Sequence, residues 1–295
     1  MQRLLDPKVL GAISSLDLVA RTVVDGFVAG LHRSPDFGFS QEFADYRAYT
    51  PGDDLRHVDW NLFARTDRCY LKRYRGENNS QLTVLLDASN SMQYSSGGPS
   101  KIDYARFLAA ALLYLAIHNQ RDAAGLIVFD DEVRDFIRPS TRPDQLARLF
   151  AGLENATPRL KTDFAAPFLH FQKALRRRGI SIVISDFYEK PEKVLEYVSP
   201  LRFSGNEVIL FHVLDPEELR PSMKASAVLV DLETDQRLEV VPEYTRNDYR
   251  AKIDGHIEQL RSLARGAGID YQLLITDQPL DLALREYLSL RQAGN

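Results

Sequence analysis

Leu82-Thr83-Val84-Leu85-Leu86-Asp87-Ala88-Ser89-Asn90-Ser91 decides how this chain is read. The first five residues form a short, nearly unbroken apolar run, as strands buried on both faces do. The run stops at an aspartate and continues as D-x-S-x-S, so carboxylate and hydroxyl oxygens follow the strand directly. Similar runs recur at Gly125–Phe129, Ile180–Ser185, Glu207–Val213 and Ile269–Ile275. Helical patterns lie between them. In the first, Tyr104, Leu108, Ala111, Leu112 and Leu115 share one face. This alternation predicts an α/β fold with an open, mostly parallel, Rossmann-like sheet and helices on both faces.

Residues 81–295 are read as that domain. Val228–Leu232 and Arg237–Val240 flank Glu233–Gln236 and predict a β-hairpin inserted at about 225–241. A helix from Thr245 to Ala264 is stopped by Gly266 and Gly268, and Leu280–Leu290 reads as a final helix. Residues 1–80 are read as an N-terminal segment packed on the main domain. Within it, Leu10–Leu31 predicts one helix, with Ile13, Leu16, Ala20, Val23, Val24 and Phe27 on one face. Pro51-Gly52-Asp53-Asp54 signals a turn, and Tyr70–Tyr74 reads as a strand.

In an open α/β sheet, the loops at the carboxyl ends of the strands form the ligand crevice. Asp87 and Asp186 each follow such a strand, and Thr162-Asp163 lies in the loop before the helical pattern Phe164–Arg177. This set offers carboxylate and hydroxyl oxygens, without thiolate or imidazole. Such donors suit a hard divalent cation, Mg²⁺ first, with Mn²⁺ or Ca²⁺ also accommodated. Ser89, Ser91 and Thr162 each supply one neutral oxygen, and Asp87 and Asp186 bind directly or through water. Two carboxylates only balance the double charge, so the ion stays electrophilic and its last position favours an incoming carboxylate. Asp163 also reads as an N-cap for the helix after it.

Other features narrow the function. The 295 residues are 44% hydrophobic and 26% charged, with a formal net charge of −4, a balance that argues against a nucleic-acid binder. The single cysteine, Cys69, permits no internal disulfide and points to a reducing compartment. Phe107–Ile117 is too short an apolar stretch to cross a bilayer, and Met1–Leu10 has no apolar core of signal-peptide length. The expected location is the cytoplasm, without direct membrane insertion. No G-x-x-x-x-G-K-[ST] or G-x-S-x-G pattern occurs, and no two histidines stand four apart. The expectation is therefore a binding protein and not an enzyme. A second reading, a Mg²⁺-dependent phosphohydrolase using Asp87 as nucleophile, needs a carboxylate two residues further on, where Ser89 stands. It also needs a lysine opposite, for which Lys101 and Lys161 are the nominees.

Leu85–Met92, Lys161-Thr162-Asp163 and Ile184-Ser185-Asp186 resemble the metal-ion-dependent adhesion site of von Willebrand factor A domains. The resemblance covers about Gln81 to Asp215 and implies Asp87, Ser89, Ser91, Thr162 and Asp186 as metal ligands. A narrower resemblance spans nearly the whole chain. Glu42-Phe43, Arg47-Ala48-Tyr49, Pro51–Arg56, Val58-Asp59-Trp60 and Ala64-Arg65-Thr66 look like the signature of the bacterial family called domain of unknown function 58. That resemblance implies an accessory factor to a MoxR-type AAA+ ATPase in protein assembly or remodelling, with the ATPase or its client as partner. Arg47, Asp53, Asp54, Arg56, Asp59 and Arg65 read as a partner surface or as a buried salt-bridged brace, the interleaved signs favouring the brace, with Trp60 as a packing anchor for the N-terminal segment against the sheet domain.

Overall fold

The computed structural model describes residues 6–13, 15–31, 43–49, 58, 60–66, 68–74, 81–159, 163–174, 179–222, 227–230, 237–240 and 248–293. The chain divides into two compact units, Met1–Phe27 with Ser80–Gly294, and Val28–Asn79.

The first unit begins with α1 (Pro7–Leu10) and α2 (Leu16–Leu31), the latter running on into the second unit. The single helix expected over Leu10–Leu31 is thus two. Asp6 caps α1 through Lys8 N–H at 2.9 Å and Pro7 holds its first position, while Gly11 closes it. Gly11 and Ser15 both favour helix ends over interiors, which is why the pattern breaks between them. Leu16, Ala20, Val23, Val24 and Phe27 are buried as one stripe.

The second unit holds β1 (Phe43–Ala48), α3 (Trp60–Thr66) and β2 (Tyr70–Tyr74), with β1 and β2 antiparallel. Trp60 is 57% exposed, and its ring meets Phe63 edge-on with centroids 6.1 Å apart. Asp53, Asp54, Arg56 and Asp59 of the suggested brace lie outside the described residues.

The main sheet is built from β3 (Gln81–Asp87), β4 (Ala123–Phe129), β5 (Val133–Ser140), β6 (Ile180–Ser185), β7 (Glu207–Leu214) and β10 (Asp270–Ile275). Its order is β5-β4-β3-β6-β7-β10, all parallel except β5, which runs antiparallel on β4. β3 is buried almost throughout, as the apolar run requires. The sheet is covered by α4 (Lys101–Tyr114), α5 (Gln145–Asn155), α6 (Ala165–Ala174), α7 (Pro191–Phe203), the single turn α8 (Pro216–Leu219), α9 (Arg250–Gly266) and α10 (Asp281–Ala293). Successive strand residues face opposite ways. Leu85, Ile127, Val183 and Leu210 form one row and pack with Phe164, Phe168 and Phe171, Val194 and Leu201 of α7, and Leu260 of α9. Val84, Leu126 and Ile182 form the opposite row, on the face that α4 and α5 cover.

The edge strand β5 was not foreseen. Of its eight residues only Ile137 is buried, so it carries none of the apolar density that marks its neighbours. Pro139 is tolerated there because an edge has no further ladder to feed. It lies so close to β4 that a methyl group on Gly125 would stand 2.7 Å from its ring. The expected hairpin is present as β8 (Ala227–Val230) and β9 (Arg237–Val240), with Val230 opposite Arg237.

Candidate metal centre

From β3 the chain steps to β4 on one side and later returns to β6 on the other. Between β3 and β6 the winding direction reverses, which opens a crevice at their carboxyl ends. Asp87 is the last residue of β3 and Asp186 the first after β6, and both are buried. The topology thus brings together two aspartates 99 positions apart (186 minus 87).

The D-x-S-x-S segment turns sharply. Ala88 N–H donates to Phe129 O at 2.7 Å, and Ser89 N–H donates to Asp87 Oδ1 at 2.9 Å. A turn of 3-10 helix over Asn90–Gln93 then carries Ser91 back, so that Ser89 Oγ and Ser91 Oγ stand 3.0 Å apart, both buried. Ser185 donates its hydroxyl to Asp87 Oδ2 at 2.5 Å and accepts Phe187 N–H at 3.0 Å. Phe187 adopts φ 46°, a left-handed backbone uncommon for a bulky residue. Its ring fixes it there, stacked on Phe164 at 5.9 Å and edge-on to His212 at 5.7 Å. His256 Nε2 meets its carbonyl at 2.9 Å.

Lys101 opens α4 and is completely buried. Its ammonium donates to Asp186 Oδ2 at 2.8 Å and to Glu218 Oε1 at 2.7 Å, and lies 4.7 Å from the centre of the Tyr188 ring. Glu218 uses its other oxygen to accept Asp215 N–H at 2.9 Å, closing the capping box of α8. Asp215 Oδ2 accepts Ser96 N–H at 2.9 Å. One hydrogen-bonded chain therefore links the loop after the serines to the end of β6.

Burial, and then the charge of Asp186, push the Asp87 carboxyl up to about 7, against the opposing hydrogen bonds from Ser185 and Ser89. Burial also works against the charge of Lys101, but the carboxylates of Asp186 and Glu218 outweigh it and hold its pKa above the ordinary lysine value.

Residues 45–259 match the family model described as Protein of unknown function DUF58. The chain belongs to that family. This DUF58 protein is 26% identical over 298 residues to the uncharacterized protein Rv1480 of Mycobacterium tuberculosis, covering 98% of this chain and 92% of that one. The uncharacterized protein Mb1516 of Mycobacterium bovis matches to the same extent. Among solved structures, the conserved hypothetical protein BatB of Bacteroides thetaiotaomicron superposes with a TM-score of 0.49 at 18% identity, over 73% of this chain and 100% of that chain. The SpRpn10 VWA domain does so with 0.43 at 11%, over 70% and 94%. At these levels the structural matches bear on nothing this chain does.

Four of the five sequence-derived ligand residues of the DUF58 protein, Asp87, Ser89, Ser91 and Asp186, gather at the switch point. Thr162 lies outside the described residues, as does Lys161. Asp163 is exposed and accepts Ala165 N–H at 2.7 Å at the start of α6, the capping role foreseen for it. The donors fit a hard cation. Two hydroxyls converge beside a buried carboxylate whose ionisation is opposed by burial and by its neighbour, and a positive ion would relieve both. Among the described residues no three His, Cys, Asp or Glu side chains group as a metal site, so a cation here would depend on the serine hydroxyls.

Sequence reasoning did not anticipate Ser185, Glu218 or the pairing of Lys101 with Asp186. Two signals were available. Asp215-Pro216-Glu217-Glu218 has capping-box spacing. Lysine at the first position of a helix opposes the helix dipole, which marks Lys101 as placed for another reason.

Proposed function

We propose that this protein is a metal-dependent protein-interaction module. Asp87, Ser89, Ser91, Thr162 and Asp186 would hold a divalent cation, Mg²⁺ by preference, and a partner would contribute an acidic side chain. The observation that carries the reading is the buried Asp87–Asp186 pair across the sheet's switch point, with the Ser89 and Ser91 hydroxyls 3.0 Å apart beside it. The bound cation would supply a Lewis-acidic position for a carboxylate. Ser185 and Ser89 N–H orient Asp87, and Lys101 orients Asp186. No described helix is long and apolar enough to cross a membrane, and a cytoplasmic setting is part of the proposal.

The partner proposed is a MoxR-type AAA+ ATPase or its client, on the strength of the family resemblance in the 42–66 signature. The test mixes the purified chain with the purified ATPase of its own source, in Mg²⁺ and in EDTA, using Asp87→Asn as control. A complex retained only with Mg²⁺ and only by the wild type supports the reading. A complex equally strong in EDTA assigns binding to another surface.

A further inference from the structure

Lys101 stands out among the buried polar groups because its charge has the wrong sign for a cation site. Its ammonium already occupies one oxygen of Asp186, at 2.8 Å, and one of Glu218, at 2.7 Å, with no solvent exposure. The Tyr188 ring lies beneath it at 4.7 Å. A divalent ion held between Asp87 and Asp186 would therefore sit close to a fixed positive charge, in surroundings too dry to screen it. The charges sum simply. Asp87, Asp186 and Glu218 against Lys101 leave two negatives, which the ion neutralises. Without Lys101 three negatives would remain, and the ion would be gripped more tightly with no charge deficit left to share.

We propose that Lys101 is a resident counter-charge that keeps divalent-cation binding weak in the isolated protein and makes it tight only when a partner adds a carboxylate. This rests on the metal-site reading and deepens it. It makes cation and partner mutually dependent, since a group that raises the affinity of one must raise that of the other equally. Glu218 enters as the anchor that holds the ammonium in place. Its second oxygen is tied to the backbone of Asp215, so the lysine cannot easily swing away.

The experiment is a Mn²⁺ chloride titration of the full chain, followed by calorimetry and by the spin-resonance signal of free Mn²⁺. The proteins are the wild type, Lys101→Met and Glu218→Gln, each with and without acetate as a probe carboxylate. Lys101→Met should bind Mn²⁺ at least about tenfold tighter than the wild type and lose most of the enhancement by acetate. Glu218→Gln removes a negative charge and leaves the ammonium in place, so it should bind more weakly. If Lys101→Met does not fold, Glu218→Gln decides: weaker binding supports the proposal, and unchanged or tighter binding overturns it. A wild type that binds Mn²⁺, with Lys101→Met equal or weaker, overturns the role of Lys101 and leaves the metal site standing. A wild type without affinity until acetate is added, beside a Lys101→Met that binds well without it, supports the proposal in its strongest form. Absence of binding in both, even with acetate, overturns the metal reading and this proposal with it.

Discussion

The two carboxylates at the end of the sheet are held in different ways. Asp87 accepts the Ser89 N–H and the Ser185 hydroxyl, and its ionisation is still opposed by burial. Asp186 is joined to a buried ammonium shared with Glu218. One side of the site is short of positive charge and the other is already supplied with it. A site built this way is asymmetric. Removing charge from the Asp87 side relaxes the fold, and removing it from the Lys101 side strains it.

The largest expected effect breaks the supplied side. Lys101→Met leaves Asp186 and Glu218 buried without their cation and should cost about 3–5 kcal/mol in urea unfolding with EDTA present. A loss below about 1 kcal/mol would mean that the ammonium is not what stabilises that half.

The next concerns His212, completely buried behind Phe187 and hydrogen-bonded through Nδ1 to Tyr271 Oη at 2.6 Å. Burial, then the positive charges of His256, Lys101 and Arg261, press its pKa down to about 3. The folded pKa lies below the unfolded value of about 6.5. Between those two values the unfolded chain binds a proton that the native state does not. Stability is therefore lost as pH falls from about 6.5 toward 3, with a slope approaching about 1.4 kcal/mol per pH unit from this group. His212→Gln should remove that contribution from the slope of stability against pH, leaving the opposite slope set by the raised Asp87 pKa, and an unaltered slope would contradict it.

Ser185→Ala sharpens the comparison on the Asp87 side. It removes a hydrogen bond to Asp87 and leaves the buried Phe187 N–H without its acceptor, for a loss of about 1–3 kcal/mol by chemical denaturation. The smallest effect is expected from Asp87→Asn. The raised pKa of Asp87 lowers the stability of the metal-free fold progressively from about pH 4 to about pH 7, where the unfolded chain has given up the proton that the native carboxyl keeps. In EDTA at neutral pH the variant should therefore be as stable as the wild type or slightly more so. A clear loss would show that Asp87 anchors the fold by itself.

The contrast also explains what could be read from sequence. Asp87, Ser89 and Ser91 stand at alternate positions along five residues and follow an apolar run, so one local pattern carries them. Asp186 follows by the same logic, from the strand Ile180–Ser185. The Lys101–Glu218 contact spans 117 positions and exists only because β7 lies two strands from β3. No spacing in the chain reports that. The four inner parallel strands, β3, β4, β6 and β7, were legible because burial on both faces makes them continuously apolar. β5 escaped because its exposed, antiparallel edge position lets it be Val-Arg-Asp-Phe-Ile-Arg-Pro-Ser. The hairpin of β8 and β9 was legible from its polar turn.

The most direct test of the central claim is thermal unfolding of the wild type and Asp87→Asn in EDTA and in millimolar Mg²⁺ or Mn²⁺, with acetate present throughout as the probe carboxylate. A ligand that binds only the native state raises its stability by mass action. The account predicts a rise of several degrees for the wild type with Mg²⁺ or Mn²⁺ and none for Asp87→Asn. The same melting temperature for both proteins with and without either ion would contradict it.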